Sequence, residues 1–244
     1  MSTIFTAVFY QPILNLLLVL YNTVAFQDLG LAIIILTIAI KMILWPFNQK
    51  AIKSQKALQE LQPKLEEIKK KHADDKAALS QATIDLYREN KTNPFSSCLT
   101  MLVQLPVLIA VYQVFRDGVS NKLDYVYAFI NKPEHLNTLA FGFLNLAAPN
   151  VILAVLAGLA QFWQAKTMVS RKQPNVKGAE DENMMAIMNK QMLYFMPAVT
   201  VFIGVTMPGG LTFYWLVMTL ISAWQQHLIF KKNQEKIIEG EIVK

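Results

Sequence analysis

Charge and cysteine are both scarce in this chain. Only 16% of its 244 residues are charged, less than a soluble domain of this length carries. The single cysteine, Cys98, excludes an internal disulfide and any multi-cysteine metal site. The three histidines, His72, His135 and His227, lie far apart and form no ligand motif. No Walker loop, G-x-S-x-G or H-E-x-x-H motif is present. There is no internal repeat and no low-complexity tract, and the longest apolar runs hold no Asp or Glu. These gaps remove the carboxylate pairs, nucleophiles and metal ligands an intramembrane enzyme needs. No enzymatic activity, cofactor or metal is therefore expected. The first apolar run has no basic residue before it, so no cleavable signal peptide is expected either.

What is abundant is apolar sequence: 54% of the residues are hydrophobic, gathered into long runs. A run of about 18 or more apolar residues with few charges is a candidate membrane span. Five such runs are expected to cross the bilayer: 29–47, 94–115, 148–167, 190–207 and 211–230. The last two are joined by a short Pro208-Gly209-Gly210 turn. Residues 4–24 are apolar too, but Gln11, Asn15 and Asn22 share one helical face, which fits a helix lying in the membrane interface. The other reading of 4–24 is a sixth span. The fold class expected is all-α integral membrane: an N-terminal interfacial segment (1–27), span one (28–47), a cytoplasmic two-helix hairpin (48–93), spans two to five with their loops (94–230) and a cytoplasmic tail (231–244).

Orientation follows from the basic residues. Of the 23 Lys and Arg, ten lie in 48–93, five in 166–190 and four in the tail, against three in 116–147 and none in 208–210. The positive-inside rule puts the three rich segments in the cytoplasm, which places the C-terminus there as well.

Within 48–93, Ala51, Ser54, Leu58, Leu61, Leu65 and Ile68 recur at spacings of three and four, a coiled-coil stripe. Asp74-Asp75 suggests a turn, and Leu79, Ala82 and Leu86 continue the spacing on a second helix. Pro63 should bend the first helix by removing one backbone hydrogen bond. The lysines lie mostly off this stripe. They serve topology and solubility, or contact with anionic lipid headgroups, ribosomal RNA or a nascent chain.

Polar groups inside spans are costly and therefore informative. A charge at a helix centre costs about 2.5–3.5 kcal/mol on insertion scales. Lys41 is the clearest case, six residues before Phe47; it either snorkels to headgroups or lines a polar cavity. Thr37, Lys41 and Asn48 share one face. Ser97, Thr100 and Gln104 share another, Gln161 and Gln164 fall near the inner end of the third span, and Thr212, Trp215, Thr219, Ser222 and Gln226 run along the fifth. Four spans with polar groups at similar depth suggest a shared wet cavity open to the cytoplasm, closed on the outside by apolar halves. Met185, Met188, Met192 and Met196 line one face entering the fourth span, as packing or as an adaptable surface for apolar segments.

The stretches GLAIIILTIAIKMILWPFNQKAIKSQKALQELQPK (30–64), NPFSSCLTMLVQLP (93–106), GLAQFWQAK (158–166) and LTFYWL (211–216) together resemble the YidC/Oxa insertases, in order and spacing, across nearly the whole chain. The resemblance implies a membrane protein insertase that receives hydrophobic segments in a hydrophilic groove and releases them into the bilayer. It implies a substrate groove with Lys41 as its basic residue, lined by Gln164 and Trp215, and Gln104 matches the family's glutamine before Pro106; Thr37, on the Lys41 face, is counted with them. Two departures stand out: Lys41 where most members have Arg, which replaces a five-donor fork by a point charge, and Thr100 where the family usually has Pro. A short form without a large periplasmic domain is expected, in a bacterial cytoplasmic membrane. Its partners would be newly made membrane proteins and the lipid bilayer, with the ribosome and a Sec-type translocon as further contacts and no DNA. The competing reading is a small secondary transporter or channel using Lys41 as a substrate site.

Overall fold

The computed structural model describes residues 3–72, 75–92, 96–119, 124–133, 135–168 and 191–238. Met185 and Met188, the loop 169–190 and Asp74 lie outside the described residues, as do the side chains of Ser97 and Thr100.

The described chain is almost entirely helical. Helix α1 covers Thr3–Thr23 and contains a π-helical stretch at Thr6–Tyr10. It is followed by α2 (Leu29–Ile43), α3 (Trp45–Glu60), α4 (Gln62–Lys71), α5 (Lys76–Glu89) and α6 (Ser96–Val119). A two-residue antiparallel strand pair comes next, β1 (Leu139–Ala140) with β2 (Leu144–Asn145). Then follow α7 (Val151–Met168), α8 (Met196–Gly204), which continues from a π-helical turn at Gln191–Phe195, and α9 (Gly209–Ile238). Helix α9 is the hub and packs against α2, α3, α6, α7 and α8.

The first span is shorter than its apolar run. Helix α2 ends at Ile43, Leu44 caps it, and α3 starts at Trp45 with its axis bent by 68° from that of α2. Pro46 explains the break: it has no N–H to continue the ladder, and its ring clashes with the preceding turn. Residues 45–47, expected in the span, open the next helix instead. Lys41 thus sits in the last turn of α2, closer to the helix end than the apolar run suggests.

Segment 48–93 also departs from two plain helices. The chain breaks at Leu61, and Pro63 lies in the first turn of α4, where a missing N–H costs nothing. The hairpin proper is α4 against α5. Leu61, Leu65 and Leu86 form its small core, with Ile68 and Tyr87 against it. Asp75 begins α5 by accepting from the backbone N–H groups of Ala77 and Ala78, both at 3.0 Å. Helix α3 packs instead on α6 and α9; its buried residues are Asn48 and Ile52, while Ala51, Ser54 and Leu58 of the stripe are half-buried. Further along, α6 runs on to Val119, the last turn precedes Gly209, and α9 continues through the first residues of the expected tail to Ile238.

By length and composition, Thr3–Thr23 is the one described helix long and apolar enough to cross a membrane. Leu29–Leu58 joins it only if the bent pair is taken as one span, and Val151–Thr167 and Gln191–Gly204 are apolar but shorter. Helix α1 does not stand apart from the rest. Ile13, Leu14, Leu17, Leu18 and Tyr21 are buried in one core with Leu29, Ile33 and Leu36 of α2 and Val111, Val114 and Phe115 of α6. Its polar face is tied to the end of α6 and the segment after it. Tyr10 Oη donates to Asp117 at 3.1 Å. Asn15 donates to the Tyr125 carbonyl and accepts from Tyr127 N–H. Asn22 donates to the Asn131 carbonyl, and the Tyr21 hydroxyl accepts from Asn137 N–H.

Helices α7 and α8 meet through small residues. A Cβ on Gly204 would lie 2.8 Å from Ala154 Cβ, and one on Gly158 would run into Val201. Such close backbone approach is how helices associate where lipid supplies no hydrophobic drive.

Candidate functional site

The polar residues of the apolar helices gather along α9. Lys41 is 8% exposed, and its Nζ donates to Ser222 Oγ at 2.5 Å. The Ser222 hydroxyl donates to the Met218 carbonyl at 2.7 Å, which leaves a lone pair free for the ammonium. The lysine is thus aimed at α9 and held there. Thr37, one turn earlier, is fully buried and donates to the Ile33 carbonyl at 2.6 Å. Its hydroxyl is spent on its own helix, a common fate of threonine in spans. Asn48 continues the same face into α3 and is 6% exposed.

Gln104 does not join Lys41. Its Nε2 donates to Tyr214 Oη at 3.3 Å, and Tyr214 precedes Ser222 by eight residues, about 12 Å of helix. Trp215, next to Tyr214, is half-buried. On α7, Gln164 is half-buried and its carbonyl accepts from Thr167 Oγ1 at 2.7 Å. Thr167 also lies 3.4 Å from Gln226 Oε1, which ties α7 to α9. Gln161 accepts from Thr200 and ties α7 to α8. The five expected groove residues therefore fall at two levels: Lys41, with Gln164 across α9, and Gln104 with Trp215 further along. Thr37 lies under them in the core.

Three participants escaped the sequence reading. Tyr214 sits in a helix whose face was assigned to its neighbour Trp215. Gln225 is 1% exposed and follows Ser222 by three residues, but the stripe steps from Ser222 to Gln226 instead. Gln113, buried in α6, is passed over although Arg116 and Asp117 follow it at helical spacing. Among the described residues no cluster of His, Cys, Asp and Glu could hold a metal ion.

The hairpin end of this site carries one more link. Lys56 of α3 lies over the Phe230 ring of α9, 5.7 Å from its centre, and 3.7 Å from Glu60.

A helical bundle that buries a lysine and a row of amides along its central helix is an all-α protein with an internal polar seam. Residues 19–236 match the family described as 60Kd inner membrane protein, and the chain belongs to that family. Its curated relatives include proteins named "Membrane protein insertase YidC". The one from Fusobacterium nucleatum is 39% identical over 208 residues, 84% of this chain and 88% of the relative. The one from Oceanobacillus iheyensis is 35% identical over 214 residues, 86% of this chain and 77% of the relative. A third, from Syntrophus aciditrophicus, is 34% identical over 223 residues, which are 91% of this chain but 36% of that protein.

Proposed function

We propose that this protein is a membrane protein insertase of a bacterial inner membrane. It receives hydrophobic segments of newly made membrane proteins at a polar groove and releases them sideways into the bilayer. The observation that carries the reading is Lys41, buried in the last turn of α2 and held on Ser222, in a chain whose relatives are named insertases. The relatives favour this reading over a transporter or channel.

In this reading five spans are built on α2, α6, α7, the segment 191–204 and α9, with the α4–α5 hairpin and the C-terminus in the cytoplasm. Helix α1 lies in the outer interface. A spanning helix would meet the outer loop at one end only, whereas Tyr10, Asn15, Tyr21 and Asn22, spread over about 18 Å of helix, are all bonded to segment 117–137.

The physics of the task is to carry a short polar segment across while its apolar neighbour enters lipid. Lys41, with Gln164, Gln104 and Trp215 along the path, lowers the cost of the polar part. A charge there is felt more strongly than in bulk water and attracts acidic or polar residues of the incoming chain. The apolar part leaves for lipid by the hydrophobic effect. No bond is made or broken, so no catalytic group is required. The hairpin receives the client, and its movement admits it. The ribosome and a Sec-type translocon are further contacts the hairpin face fits.

The test is reconstitution. The purified chain in liposomes should render a single-span client protease-resistant above the level of empty liposomes. A client that stays fully digested refutes autonomous insertion.

A further inference from the structure

Resting on the insertase reading, we propose that the seam between α3 and α9 is a second client-binding locus, in which Asn48 and Gln225 donate hydrogen bonds to backbone carbonyls of an incoming extended segment.

The seam is bounded on one side by the Lys41–Ser222 bond and on the other by Lys56 over Phe230. Asn48 lies between the two lysines in sequence, and Gln225 lies between Ser222 and Phe230. Both side chains are more than nine-tenths buried. Asn48 Nδ2 and Gln225 Nε2 nevertheless have no hydrogen-bond partner, and neither does the buried Lys56 Nζ. Both unpaired amide groups are donors, and so is Lys56, whose charge is met by Glu60 at 3.7 Å. A buried N–H without a partner is expensive, so the closed seam holds capacity for acceptors it does not itself supply. An extended polypeptide carries such acceptors: every residue not yet in a helix has an unpaired carbonyl. These donors continue the polar path from Lys41 toward the hairpin, along the route a client takes to reach the groove.

The seam can open without breaking a regular helix. Helix α3 is already separate from α2 at Leu44, bent by 68°, and Pro46 has no N–H to bond across that joint. Movement about Leu44–Pro46 swings α3 away from α9 and exposes both amides to the entering chain.

A photo-crosslinking side chain at position 48, introduced into the full-length protein in liposomes, tests the proposal directly. During insertion of a single-span client it should form an adduct with the client. An adduct with phospholipid alone, or none, overturns the proposal and assigns the donors elsewhere. A second arm uses Asn48→Leu combined with Gln225→Met. Removing unpaired donors should leave the thermal midpoint in detergent equal or higher, while insertion per folded molecule falls by about threefold to tenfold, the loss of one or two net hydrogen bonds. Unchanged insertion overturns the proposal. If the unmodified protein inserts nothing, the insertase reading has failed instead.

Discussion

At the end of the bundle where α2 begins, Leu14, Leu18, Ile33, Leu36 and Val114 close on one another with almost no exposed surface. At the end where α2 gives way to α3, Lys41, Asn48, Gln225 and Gln226 are buried as well. Burial of such different chemistry has different consequences. Apolar groups in contact are at rest, whereas buried amides with unmet donors raise the energy of the closed state. The first end is built for stability and the second to be opened. The structure of the joints agrees. The apolar end is tied by Asp28, which caps α2 at Leu31 N–H and also accepts from Phe141 N–H. The polar end is hinged at Leu44–Pro46.

This contrast predicts that changes at the apolar end cost stability and leave activity per folded molecule alone. The largest effect is expected for Gly30→Val. A Cβ there would lie 2.6 Å from Ala140 Cβ and 2.8 Å from the Phe141 ring, so β1 must move. The expected loss is about 3 kcal/mol, read as thermal unfolding in detergent, with insertion per folded molecule unchanged. Next comes Leu65→Ala in the hairpin core, at about 2 kcal/mol. Because that cluster is small and separate from the main core, hydrogen exchange should quicken in α4 and α5 while α2 and α9 stay protected. A quickening throughout the bundle would show that the hairpin is not an independent unit. Asp28→Ala is the smallest, about 1 kcal/mol for a lost helix cap. Its exchange signature should be confined to the first turn of α2 and the β1–β2 turn.

Much of this was visible in the residues. The polar stripe of α9 and the isolated charge of Lys41 marked a shared face, and Ser222 of that stripe is the partner of Lys41. Asn15 and Asn22, two of the three residues that marked an interfacial face on α1, are the ones that bind the following loop. What stayed hidden is instructive. The run from Leu29 to Phe47 is apolar throughout apart from Thr37 and Lys41, so hydropathy passes over the joint at Pro46, where only backbone hydrogen bonding registers. The α3 stripe looked continuous with the hairpin because spacing does not say which partner a helix face meets. Gln225 was lost because the stripe, stepping by four from Ser222 to Gln226, passes over the residue three on. Gln104 looked like a companion of Lys41 and pairs instead with Tyr214, since depth along one helix does not fix its register against an antiparallel neighbour.

The central claim is that the charge of Lys41 does the inserting rather than reaching for headgroups. Insertion of a single-span client into liposomes by the wild-type protein, Lys41→Arg and Lys41→Ala decides it. The account predicts that Lys41→Arg inserts well and that Lys41→Ala, folded and with an unaltered melting profile, loses roughly tenfold or more, as expected for a lost hydrogen bond to a charged group. Equal insertion by Lys41→Ala and the wild type would contradict it.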